Sequence, residues 1–340
     1  MSLLLSPYKI GTLELKNRIV MPPMCMFCAK DNSGEVNDFH IHHYSARAIG
    51  NVGFIIVEST GITSDGRITN NDLGLYTDSQ EKSHKKLVDS VHNFGAKIAV
   101  QLAHIGRKSE VKNGIRLAPS AIRYSKNYEI PKEMSLEDIE QFKEDYVNAG
   151  LRAKRAGYDA IELHAAHGFL LYQFLSPLSN NRTDKYGGSL DNRCRLLLEI
   201  TELFKTKVKL PLIVRLSATE WSENGWDLES SKYLAKKLKT TIDILHVSAG
   251  ANQENQPLMP PLVPLYQSGY AKEIKDAAKT PVITVGLITT PSEGEALLLG
   301  EVCDLVAYGR ELLRNPNLAN DAAKIFKEQD KITKQYQWAY

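Results

Sequence analysis

Short, nearly unbroken apolar runs alternate along this chain with longer stretches in which apolar residues recur at steps of three and four. The short runs read as eight strands: Asn17–Met24, Val52–Thr60, Ala96–His104, Asp159–Ala165, Pro211–Ser217, Ile242–Ser248, Pro281–Gly286 and Asp304–Gly309. Most are continuous Val, Ile and Leu, the pattern of parallel strands covered on both faces. The longer stretches read as helices. The clearest opens on Ser135 and Asp138, an S-x-x-D capping signature. Ile139, Phe142, Tyr146, Ala149, Ala153 and Ala156 then form one stripe, and Gly157 ends it. Similar units cover Gln80–Phe94, Asp191–Val208, Leu228–Lys239, Ser268–Ala278, Pro291–Leu299 and Asn317–Lys327.

This alternation predicts an α/β fold, a (β/α)₈ TIM barrel forming one domain over residues 1–340. No G-x-G-x-x-G follows the first strand, which weakens the doubly wound alternative. The segment from His104 to Ser135 is too long for a simple loop and holds Gly106, Gly114 and Pro119. It predicts a capping excursion over the barrel mouth after strand three. Ala160–Ser189 begins as a buried strand and ends as a long polar loop. Asn252–Pro264, rich in Pro, Asn and Gln, predicts a mobile loop.

Composition narrows the function. Of 340 residues, 43% are hydrophobic, enough for one large core. Lys and Arg number 42 against 40 Asp and Glu, and no basic block stands out, so nucleic acid and acidic membrane are not expected partners. No run of about 18 apolar residues predicts a membrane span. The opening MSLLLSPYKIG lacks a charged leader and a cleavage site, so a cytoplasmic location is expected. Four cysteines are too few for a disulfide scaffold, and Cys25-x-x-Cys28 has no second pair, so no metal is expected.

In a barrel the carboxyl ends of the strands share one pocket, where ligands bind. Those ends carry Pro22, Pro23, Met24 and Cys25, then Glu58 and Ser59, then Gln101 and His104. His164 and His167 follow strand four. Arg215 lies inside the apolar run LPLIVRLSA, where a charge needs a partner. That partner is an anionic ligand or a salt bridge to Glu58 or Glu162. Gly286, Gly309 and Arg310 after the last two strands suit a phosphate, although glycines there also serve simply to turn the chain. The two histidines, three apart, suit zinc or hydrogen bonding to a carbonyl or phenolate oxygen.

The words LKNRIVMPPMCM, RAIGNVGFIIVE, QLAHIGRK, HAAHGFL, RTDKYGGS and GRELLRNP, in this order, resemble the Old Yellow Enzyme family of FMN-dependent ene-reductases, most of all its bacterial cysteine-containing subclass. The resemblance implies FMN as cofactor and NAD(P)H as co-substrate. It places Pro22, Pro23, Met24, Cys25, Ser59, Gln101 and Arg215 along the flavin, and Gly286, Gly309 and Arg310 on its phosphate. His164 and His167 would grip the oxygen of an α,β-unsaturated substrate, with Phe27 and Phe169 beside it. Cys25 would tune the flavin. The family also implies a homo-dimer or homo-tetramer.

The chain departs from the subclass at three positions. Phe169 stands where the proton-donating tyrosine is usual, Phe27 where a substrate-touching tyrosine is usual, and Trp338 where an arginine reaches a neighbouring subunit. The expected activity is hydride transfer to enones, maleimides or quinones. The alternatives are a quinone or nitro reductase with poor ene-reductase activity, and a flavin-binding protein with little turnover.

Overall fold

The computed structural model describes residues 1–340. Eight parallel strands close into a barrel: β1 (Ile19–Met21), β2 (Phe54–Gly61), β3 (Lys97–Ala103), β4 (Ala160–Ala165), β5 (Leu212–Ser217), β6 (Ile244–Ser248), β7 (Val282–Val285) and β8 (Leu305–Ala307). Closure is made by β1, which pairs with β8 through Ile19 and Val306 and with β2 through Val20 and Phe54. The eight expected strands are all present. The first stops at Met21 because Pro22 and Pro23 have no N–H to give a ladder.

The outer ring is α1 (Asp38–Ile49), α2 (Asp78–His92), α3 (Leu136–Ala156), α4 (Leu190–Leu203), α5 (Leu228–Leu238), α6 (Ser268–Ala278), α7 (Pro291–Leu299) and α8 (Leu318–Ile325). Ser135 caps α3 and Gly157, at φ 96°, ends it in the left-handed conformation that glycine tolerates. The periodicity reading missed α1. Its buried face is His40, His43, Tyr44, Ser45, Arg47 and Ala48, which carries little apolar signal. Ala160–Ser189 begins as a strand and ends as a loop over residues 176–189, as expected, but the sequence reading passed over a helix between the two. After Phe169 the chain folds into a buried short helix, Leu170–Leu175, because LLYQFL is itself apolar.

Two separate apolar cores follow from the alternation of strand side chains. Residues facing outward pack against the helices. Those facing inward, among them Val20, Ile56, Ile213, Ile244, Ile283 and Leu305, fill the bore. The bore is plugged from below by a hairpin, Tyr8–Ile10 against Leu13–Leu15, which contributes Ile10, Leu13 and Leu15.

The excursion after β3 crosses the mouth. It holds a short parallel pair, Leu117–Ala118 with Lys132–Glu133. Arg182, from the loop after β4, donates Nη1 to Pro119 O at 2.9 Å and Met134 O at 2.6 Å. Arg107 donates to Asn252 O at 2.9 Å. The Glu220 carboxylate accepts from Ser176 Oγ at 2.7 Å and from the Asn252 amide. The mouth is therefore fastened by buried charged groups, although Arg107 Nε has no hydrogen-bond partner. In the expected mobile loop, Asn252–Pro264, Asn252 is buried and residues 253–264 form an irregular and mostly exposed stretch.

Candidate active site

Two residues above the apolar bore, the same strand faces turn polar. Ala99 gives way to Gln101, Ala160 to Glu162, Ile213 to Arg215 and Ile244 to His246. On β2 the register shifts between Val57 and Ser59, which sets Ser59 opposite Gln101 and leaves Glu58 to meet Tyr44 of α1. Bulges of this kind re-aim side chains beside functional sites. Gln101 Nε2 donates to Glu162 Oε1 at 2.7 Å, and His246 Nδ1 lies 2.7 Å from Glu162 Oε2.

Arg215 sits in register between His164 and His246, and is 8% exposed. It makes no ion pair with Glu58 or Glu162, so the salt-bridge alternative fails. Glu162 is taken by Gln101 and His246, Glu58 by Tyr44 and Met26 N. Arg215 Nε is buried without a partner. A bare guanidinium N–H in such a place is costly unless a ligand meets it.

Arg215 opens onto a cavity of about 380 Å³. Of the residues expected at the site, Pro22, Pro23, Met24, His167, Arg215 and the group Gly286, Gly309 and Arg310 line it. At the far end the N–H groups of Gly286, Leu287 and Gly309 have no hydrogen-bond partner in the chain. Arg310 beside them is exposed, with no carboxylate on it. Gly286 has φ 131°, and a Cβ there would press on Gln267 and Tyr266 at 3.1 and 3.2 Å. The cavity thus has a buried cation at one end and free backbone donors with a second cation at the other. That donor set fits an elongated anionic ligand, as FMN is.

Cys25, Ser59, Gln101 and His164 flank the cavity without lining it. Burial raises the Cys25 thiol well above its usual range, with Glu58 adding to the effect, so Cys25 is a neutral thiol. His164 Nδ1 accepts from Ala166 N at 3.3 Å, which leaves the proton on Nε2. His167 Nε2 lies 2.9 Å from Ser248 Oγ, and the backbone N–H of His167 donates to Ser217 Oγ at 3.0 Å. The two rings meet edge to face, centroids 5.0 Å apart. Burial, then the charge of Arg215, holds both well below the usual histidine range. Both are neutral donors, and no third His, Cys or carboxylate joins them as a metal ligand.

The Phe169 ring lies tilted by 54° to that of His164 with centroids 4.5 Å apart, and Lys108 Nζ lies over the Phe169 ring at 5.5 Å. Lys108 donates to His167 O at 3.0 Å and Ala251 O at 2.9 Å, tying two mouth loops together. Phe27 is 44% exposed, and Trp338 is fully exposed. Phe27 and His167 both hold φ 55°, a left-handed conformation that costs a bulky residue about 1–2 kcal/mol.

Ser217 and Ser248 were legible as polar strand-end residues, though without a role, whereas sequence reasoning missed Lys108, Tyr266 and His246. For His246 a signal was there: it precedes Ser248 by two, and a period of two puts the pair on one strand face.

The family model for NADH:flavin oxidoreductase / NADH oxidase matches residues 3–329. An NADPH dehydrogenase of Listeria monocytogenes serotype 4b (strain CLIP80459) is 44% identical over 341 residues, covering all of both chains. Among solved structures, an old yellow enzyme homologue from Zymomonas mobilis superposes with a TM-score of 0.81 at 29% identity, over 96% of this chain and 92% of that one. A 2-naphthoyl-CoA reductase gives 0.88 at 27% identity over 97% of this chain, which spans only 53% of that longer protein.

Proposed function

Since the chain belongs to the NADH:flavin oxidoreductase / NADH oxidase family and is an FMN-dependent NADPH dehydrogenase, we propose that its acceptors are activated alkenes, such as enones and maleimides, and quinones. The observation that carries the reading is Arg215, a buried cation without a partner at the floor of the cavity. Bound FMN supplies the redox chemistry, taking hydride from NAD(P)H and giving it to the acceptor. Pro22, Pro23, Met24, Cys25, Ser59, Gln101 and Arg215 would hold its ring. The free N–H groups of Gly286 and Gly309, with Arg310, would hold its phosphate.

His164 and His167 would orient an acceptor oxygen. Neutral imidazoles give it hydrogen bonds without yielding a proton, and donors aimed at developing charge lower the barrier. Cys25, a protonated thiol, would tune the flavin rather than attack substrate. Phe27 and Phe169 would line the acceptor side with apolar surface. Phe169 has no proton to give, so acceptors that need no positioned carbon acid are favoured: quinones and activated maleimides ahead of simple cyclic enones.

The purified protein should be yellow, and anaerobic NADPH should bleach it. Arg215→Ala should weaken FMN binding about 10- to 100-fold, the worth of a charge-assisted hydrogen bond. Quinone should reoxidise the bleached protein much faster than cyclohexenone does. Phe169→Tyr should raise enone turnover toward the 10²–10⁴-fold that a placed acid typically gives, roughly, and leave quinone turnover unchanged. A wild type that reduces cyclohexenone as fast as quinone, with Phe169→Tyr changing nothing, would refute the preference for quinones over simple cyclic enones. FMN binding without bleaching would favour a flavin carrier with little turnover.

A further inference from the structure

The polar layer under the cavity holds one basic nitrogen that nothing uses. His246 has no exposed surface. Its Nδ1 faces Glu162 Oε2 at 2.7 Å, and a carboxylate only accepts, so the imidazole proton sits on Nδ1. That leaves Nε2 with a bare lone pair, buried and without a partner. His164 Nδ1 and His167 Nε2 each have a partner, and both Glu162 oxygens are occupied. Around His246 the charged and titratable neighbours are Glu162, His164 and His167 from β4 and its loop, and Arg215 from β5. From β7 it faces only Ile283, its register partner.

We propose that His246 Nε2 is the proton acceptor coupled to reduction of the flavin, taking up one proton from solvent as the cofactor gains two electrons. The inference rests on FMN occupying the cavity. In the oxidised protein the charges of Arg215 and Glu162 offset one another. Two-electron reduction by NAD(P)H would bring a hydride, that is two electrons and one proton, and would leave an added negative charge in the cavity that Arg215 lines. In a low-dielectric bore that charge is felt strongly, and it favours the protonated form of any nearby base. The open base is His246 Nε2. NAD(P)⁺ departs, and the second proton comes from solvent. When the acceptor takes the hydride and its own proton from solvent, His246 returns its proton.

The resting state agrees with this order. Burial holds His246 below the usual histidine range, with Glu162 pulling it up and Arg215 pressing it down, so it is neutral before reduction. Once protonated, its Nδ1–H to Glu162 becomes a charge-assisted hydrogen bond.

The test is the midpoint potential of the FMN-loaded protein against pH, measured by spectroelectrochemistry. Each proton taken up by a two-electron couple moves the potential about 29.6 mV per tenfold change in proton activity. The wild type should show a slope of about 59 mV per pH unit near neutrality, for two protons. His246→Gln, which keeps an N–H for Glu162, should fall to about 30 mV. A wild-type slope of about 30 mV, or a variant still at about 59 mV, would overturn the proposal. Should His246→Gln fail to retain FMN, the ¹⁵N signal of His246 in the wild type decides. A change from imidazole to imidazolium on reduction is expected, and an unchanged ring refutes it. A wild type that cannot be loaded with FMN would overturn this inference together with the reading it rests on. Loaded protein with the lower slope overturns this inference alone.

Discussion

Glu58 has no exposed surface, yet it is a carboxyl group. It accepts from Met26 N at 2.8 Å and Tyr44 OH at 3.1 Å, and His40 Nε2 lies 3.7 Å away. Burial raises its pKa from 4.5 to about 7, against the pull of those two hydrogen bonds. Between these values the folded protein binds more protons than the unfolded chain. The contribution is therefore whole below about pH 4.5 and is lost as pH rises through 7. Glu58→Gln keeps an acceptor for Met26 N and removes the titration. Compared by denaturant unfolding at about pH 5 and about pH 8, the variant should gain on wild type at the higher pH, by up to roughly 3 kcal/mol. An equal difference at both values would mean that Glu58 stays ionised in the fold. Legibility at this scale depended on contrast. Arg215 announces itself as a charge within LPLIVRLSA, whereas His246 lies in ILHVS, where one imidazole among apolar residues reads as an ordinary core histidine. Its partner Glu162 is recruited from another strand, and no local pattern carries that pairing.

At the scale of elements, periodicity was informative wherever the buried face was apolar. Helix α3, with Ile139, Phe142 and Tyr146 under the barrel strands, was legible down to its caps. Helix α1 was not, because tertiary contacts and not apolar residues bury its face. Arg47, for example, gives Nε to Leu312 O at 2.9 Å and Nη1 to His43 O at 2.8 Å. Such a helix leans on its cap. Asn37 accepts from Phe39 N at 3.1 Å and gives its amide to Cys28 O at 2.6 Å, so it ties α1 to the loop that carries Cys25. Asn37→Ala should cost about 1–2 kcal/mol, read as a lower denaturant midpoint at unchanged slope. An unshifted midpoint would mean that packing alone holds the helix start. The bulge on β2 was likewise hidden. Its extra residue changes which face Glu58 and Ser59 take, and an apolar run does not encode a register shift.

For the whole molecule, the barrel architecture was legible from the alternation of runs and stripes, but the plug and the clamp on it were not. Tyr8–Leu15 is too short to show a period, and its apolar residues find their partners on strands far along the chain. The N-terminal segment is held by Glu295 of α7, whose carboxylate accepts from Ser2 Oγ at 2.7 Å, Leu3 N at 2.9 Å and Leu4 N at 2.8 Å. Glu295→Ala strands those donors and should cost about 2 kcal/mol, measured as a lower unfolding temperature with the FMN content of the folded protein unchanged. Loss of FMN in parallel would instead link the clamp to the site. Closure through Ile19 and Val306 has a further consequence, for synthesis. A nascent polypeptide on the ribosome carries two bare strand edges and an open apolar bore until its last strand emerges. Pairing so distant in sequence is slow and exposes sticky surface meanwhile. During translation this chain therefore exposes apolar surface of the kind chaperones cover, and a transcript broken before the codon for Leu305 yields a chain that cannot close its barrel.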